Sequence, residues 1–168
     1  MRVFDGGQKL DETSLNKLFL KQLDNIYCIK KHLLKVLPSL AETASFEGLK
    51  AAITENLDQI KMQILRMDVI YKIYTAKYSE ENCIGIKAFS LEAYNSNRNP
   101  DLPDLERDLA LLFHLHIVEG METAYFDILK RITRNLENKD IEVLLDQNFE
   151  TSVKNIKLYE LIEKEYIS

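Results

Sequence analysis

His116, Glu119 and Glu122 are the residues of this chain whose types and spacing could do chemistry. Side chains three apart share a helix face. Glu119 and Glu122 therefore form a carboxylate pair, and His116 with Glu119 forms a His-x-x-Glu. Such a set can ligate a divalent cation with help from a second helix, or it can be a polar face pairing with lysines or water; the residues alone leave both readings open. Upstream by three from His32, His114 and His116 stand Ile29, Leu111 and Phe113, so Glu-x-x-His occurs nowhere. No nucleophile-and-base motif, glycine-rich phosphate loop or zinc spacing is present. Cys28 and Cys83 lie far apart, make no Cys-x-x-Cys, and read as buried reduced thiols. Tyr27, Tyr71 and Tyr125 read as core and rim residues.

Long helices must position these groups. Phe19, Leu23, Ile26, Lys30, Leu33, Leu37, Leu40 and Ala44 alternate spacings of four and three, which predicts a helix from Ser14 to Ala44. Asp11 and Thr13 offer capping oxygens before it, and Pro38 predicts a kink rather than a break. A second seam, Ile53, Leu57, Ile60, Ile64, Met67, Tyr71 and Tyr74, predicts a helix over 46–74 with Ser45 as cap. The third helix is expected to begin near Asp101, acting as cap, and to run to Leu136 through Leu105, Leu109, Leu112, His116, Glu119, Thr123 and Phe126. The fourth runs from Lys139 to Tyr166 through Leu145, Phe149, Ile156, Tyr159 and Ile162. The junctions at 44–46 and 137–138 permit only antiparallel hairpins. Between the hairpins lies a long connection, Thr75 to Pro100, with a short helix expected from Cys83 to Tyr94 and a polar run over 95–99. Two tight hairpins and one long crossover are the connectivity of a ferritin-like four-helix bundle. The reading is all-α: a flexible N-terminus over 1–13 and a bundle over 14–166.

Polar residues at seam positions carry information, because buried carboxylates are costly unless they meet a cation or several donors. Lys30 interrupts the first seam; His116, Glu119 and Thr123 interrupt the third. In ferritin-like di-metal proteins the cation is a metal pair, held by a Glu from each of two helices and a Glu-x-x-His from each of the others. That inventory is missing here.

Composition narrows the function classes. The net charge of −5, with acids and bases interleaved, gives no electrostatic reason to bind nucleic acid or anionic lipid. No stretch approaches the ~20 apolar residues that span a bilayer. Met1 to Gln8 has no apolar segment of the kind a signal peptide needs, so a cytoplasmic location is expected.

Gln22-Leu23-Asp24-Asn25-Ile26-Tyr27, followed by Lys31, Leu33-Leu34-Lys35 and Leu37-Pro38, resembles the first helix of YciF-like ferritin-like proteins. Leu49-Lys50-Ala51-Ala52 and Asn56-Leu57-Asp58-Gln59 are similar to their second helix. Cys83 and Glu92 match the crossover, Val118-Glu119 with Glu122 and Ala124-Tyr125 the third helix, and Glu150 with Ile156-Lys157-Leu158 the fourth. The resemblance implies a stress-associated bundle that forms dimers and has carboxylate and histidine ligands for two metals. This chain departs from the pattern. The first-helix Glu is Lys30, the second helix's His-Leu-Glu-Glu is Asn56-Leu57-Asp58-Gln59, and the third helix's Glu-His-x-Glu is Glu119-Gly120-Met121-Glu122. Glu150 stands where a fourth-helix acid is expected.

Lys30, Asp58, His116, Glu119, Glu122 and Glu150 thus mark a degenerate site, with no metal or other cofactor expected. An ammonium beside Glu119 and Glu122 would neutralise them and repel a divalent ion. At about 5 Å and an effective dielectric of ~20 the repulsion is about 6–7 kcal/mol. The expected function is a non-catalytic structural or interaction module, a homodimer or partner of another protein, with a salt bridge in place of the metals. The alternative is a peroxide- or oxygen-reacting oxidoreductase using iron or manganese in a rearranged site.

Overall fold

The computed structural model of the protein describes residues 9–83 and 101–167. Four long helices account for most of them: α1 (Glu12–Thr43), α2 (Glu47–Ile73), α3 (Asp104–Asn135) and α4 (Lys139–Ile167). A single 3₁₀ turn, Glu80–Asn82, follows α2. The short helix expected up to Tyr94 and the polar run over 95–99 lie outside the described residues. No described helix is long and apolar enough to cross a membrane.

The helix starts show where local reading works and where it fails. Asp11 caps α1, its carboxylate accepting the Ser14 N–H at 2.7 Å. Pro38 is accommodated within one continuous helix. Asn138 accepts the Ile141 N–H at 3.2 Å in the first turn of α4. Ser45 does not cap α2, contrary to the local reading. The cap position is Phe46, and the carboxylate of Asp108, from α3, accepts the N–H groups of Ser45 at 2.6 Å and Phe46 at 2.8 Å. Asp101 likewise does not cap α3, whose cap position is Pro103.

Helix α1 packs on α2 and α3, and α4 packs on α3 and α2, so the four helices form a square with α1 diagonal to α4. Two apolar clusters fill its ends. One holds Leu33, Leu37 and Leu40 of α1 with Leu49 and Ile53 of α2, Leu111, Leu112 and Leu115 of α3, and Tyr159 and Ile162 of α4. The other holds Phe19 and Leu23 with Met67 and Ile70, Phe126 and Leu129, and Ile141 and Leu145. The start of α1 thus meets the end of α3, and the start of α2 meets the end of α4. Helix α2 finishes at the opposite end of the bundle from where α3 begins, as ferritin-like connectivity requires.

Every expected seam residue of α1 is buried, Lys30 included. The α2 seam is rotated from the expected one. Leu57 and Ile64 are only partly buried, whereas Asn56 and Gln63 face the interior. In α3, Leu105 is exposed and Asp108 is buried in its place.

Candidate functional site

A polar belt crosses the bundle between the two apolar clusters. Lys30 lies midway along α1 with its side chain 0% exposed. Its ammonium donates to Glu122 Oε2 and lies 3.8 Å from Glu119 Oε1. Asn155, from α4, donates to the same Glu119 oxygen at 2.8 Å and reaches Asn56 Oδ1 at 3.3 Å. Asn56 in turn donates to the Tyr159 hydroxyl. All four helices therefore contribute to one buried chain of hydrogen bonds: Lys30 from α1, Asn56 from α2, Glu119 and Glu122 from α3, Asn155 and Tyr159 from α4. One step along the bundle, Gln63 donates to the Asn148 carbonyl at 3.1 Å and to Ser152 Oγ at 3.2 Å, while Asn148 returns a bond to the Gln63 carbonyl at 3.3 Å.

The electrostatics follow from burial. Desolvation, and then Glu119 beside it, hold the Glu122 carboxyl well above the ordinary carboxylate range, against the opposing pull of the Lys30 ammonium. Burial also keeps the Tyr159 phenol un-ionised, with Glu119 adding to the effect. Glu119 Oε2 and Glu122 Oε1 are buried and have no protein partner. A proton on Glu122, which its raised value favours, leaves a single negative charge opposite the single Lys30 ammonium. In that state the belt is neutral, which a buried cluster requires.

Of the six residues marked by the sequence, the structure brings three together: Lys30, Glu119 and Glu122. The other three lie elsewhere. Asp58 is exposed and pairs with Lys61 at 2.7 Å on its own helix. Glu150 is exposed on α4, where Asn148, Ser152 and Asn155 take the inward positions. His116 is half-buried, and its Nδ1 lies 2.7 Å from Glu163 Oε1 of α4 rather than in the belt. Gln63, Asn148, Ser152 and Asn155 were not singled out by the sequence, and Asn56 only as the residue standing at the second-helix His of the resemblance. For the three α4 residues the signal was available, because Ile141, Leu145, Asn148, Ser152, Asn155, Tyr159 and Ile162 keep the four-and-three spacing unbroken.

As donors for two divalent ions these residues fit poorly. Two carboxylates from one helix, three neutral groups (Asn56, Asn155 and Tyr159) and an ammonium replace the acids and histidines such a centre needs. Among the described residues no three His, Cys, Asp or Glu side chains gather as a metal-ligand group.

A family model described as a domain of unknown function, DUF892, matches residues 14–165. The chain belongs to the DUF892 family. Protein YciF of Escherichia coli K12 is 26% identical over 150 residues, covering 88% of this chain and 90% of that protein. The crystal structure of the E. coli stress protein YciF superposes with a TM-score of 0.84 at 23% identity, over 91% of this chain and 96% of that one. YcfI from Rhodopseudomonas palustris superposes with a TM-score of 0.80 at 24% identity, over 94% and 97% respectively. The DUF892 membership and both superpositions agree with the YciF-like resemblance and the all-α bundle read from the sequence.

Proposed function

We propose that this DUF892 protein is a non-catalytic structural or interaction module of the YciF type, acting in a stress response. In this reading the Lys30–Glu119–Glu122 cluster has taken the place of a di-metal centre, and the working form is a cytoplasmic homodimer. The observation that carries the reading is the fully buried Lys30 ammonium set against both glutamates. It supplies one fixed positive charge where two divalent ions would otherwise balance the acids. The stress role is supported by the likeness to YciF, which is a stress protein in E. coli. Self-association is supported by an apolar stripe on the outer face of α2: Met62, Leu65, Val69 and Ile73, each 42–55% exposed. A stripe crossing its own copy buries the same residues on both sides, the usual geometry of a twofold dimer.

The oxidoreductase alternative, with iron or manganese, rests on the two partnerless oxygens, Glu119 Oε2 and Glu122 Oε1. The experiment that separates them is elemental analysis of protein purified from cells grown with added manganese and iron, together with ferroxidase and peroxidase turnover. Metal far below one ion per chain and no turnover are expected. Stoichiometric metal would overturn the salt-bridge reading. Light scattering on the wild type and on Leu65→Glu/Val69→Glu tests the assembly: a dimer that becomes a folded monomer is expected, and a monomeric wild type would refute it.

A further inference from the structure

The two cysteines lie far apart in sequence but share one neighbour in the fold, Tyr78. Cys28 lies on the buried face of α1, and Cys83 follows the 3₁₀ turn at 80–82; neither is in a disulfide, and both are almost completely buried. Cys83 Sγ is 3.1 Å from the Tyr78 hydroxyl and 3.9 Å from the Asp24 carbonyl oxygen, one turn before Cys28 on α1. The same Tyr78 hydroxyl also reaches the Cys28 side chain. One phenol therefore sits between two thiols.

Burial holds the Tyr78 phenol in its protonated form, so it can donate to whichever sulfur ionises. The Lys31 ammonium lies 5.2 Å from the centre of the Tyr78 ring. The segment carrying Cys83 is held to α1 by contacts that include the Ser79 N–H to Asp24 at 3.3 Å and the tilted packing of Tyr78 on Tyr27, with centroids 4.7 Å apart. Closing a disulfide requires the phenol to withdraw and sulfur to meet sulfur in the geometry that bond demands.

We propose that Cys28 and Cys83 are a peroxide-oxidisable dithiol that closes to an intramolecular disulfide. One thiolate attacks a peroxide oxygen; the O–O bond breaks, and the departing oxygen takes a proton and leaves as water, with a sulfenic acid formed on sulfur. The second thiolate attacks that sulfur, the S–S bond forms, the S–O bond breaks, and a second water leaves. Two thiols are oxidised and one hydrogen peroxide is reduced to two waters. The product ties the connection that follows α2 to the middle of α1.

Intact-mass analysis of the folded wild-type protein tests this. After hydrogen peroxide, the protein is unfolded and exposed to N-ethylmaleimide. The expected product has lost two hydrogens, takes up no maleimide, yields one peptide pair joining Cys28 to Cys83, and recovers two maleimide sites after dithiothreitol. Two maleimide adducts after peroxide would overturn the proposal, as would sulfinic acid at one cysteine or a disulfide between chains. Cys28→Ser and Cys83→Ser, each verified as helical by circular dichroism, should each abolish the internal link. Persistence of the two-hydrogen loss in either would refute the pairing.

Discussion

Replacing Lys30 by Met removes the ammonium while keeping most of the aliphatic stem, so packing in α1 changes little. What remains is a pair of buried carboxyls with no cation. Breaking one side of a buried ion pair costs about 3–5 kcal/mol, and Lys30 faces two acids at full burial, with Asn155 as the other side-chain donor to Glu119. A loss of about 4 kcal/mol is a large part of the 5–15 kcal/mol typical of a domain. Urea unfolding at neutral pH reads it directly. The midpoint should fall sharply while the slope with denaturant stays constant, because the surface exposed on unfolding is the same. Acidification should restore much of the loss, since protonated carboxyls no longer need a cation. The variant Lys30→Met/Glu119→Gln/Glu122→Leu, which removes the charges together, should recover wild-type stability or exceed it. A Lys30→Met loss below about 1 kcal/mol, the value of an exposed pair, would refute the reasoning.

Two further outcomes follow from the same geometry. The Glu122 carboxyl has its folded-state value raised above the ordinary one, chiefly by burial, so the folded protein holds the extra proton. Its contribution to stability is therefore complete below the ordinary carboxylate pKa and is lost as pH rises through the raised one. Glu122→Gln should flatten that part of the melting-temperature profile; a profile parallel to wild type would contradict it. Asp108→Ala removes the carboxylate that accepts the Ser45 and Phe46 N–H groups, and should cost about 2 kcal/mol in urea unfolding. A loss under a quarter of that would show that solvent replaces it.

The sequence carried α1 almost completely, because Lys30 falls in phase with seven apolar neighbours and the whole series is buried. It carried α2 less well. Choosing apolar residues favoured Leu57 and Ile64, yet Asn56 and Gln63 turn inward because α4 offers Asn155, Asn148 and Ser152 opposite them. That pairing spans most of the chain and has no local signature. Glu150 was named by alignment with a family acid, but the α4 spacing that includes Asn148 and Asn155 already excluded it from the buried face. The α2 cap failed for a similar reason. Ser45 is a good local candidate, while the group that accepts those N–H atoms comes from a helix remote in sequence. Periodicity reports on one helix at a time, and the belt is a property of four.

The division of the core into two greasy halves by that belt also fixes alignment. Leucine and isoleucine would tolerate one helix sliding along another, since one methyl resembles the next. A slide of one turn, about 5.4 Å, would carry the Lys30 nitrogen away from both acids and separate Asn155 from Glu119. The hydrogen bonds act as a vernier with a single reading: oily ends supply cohesion, and the polar middle decides where each rod must stop.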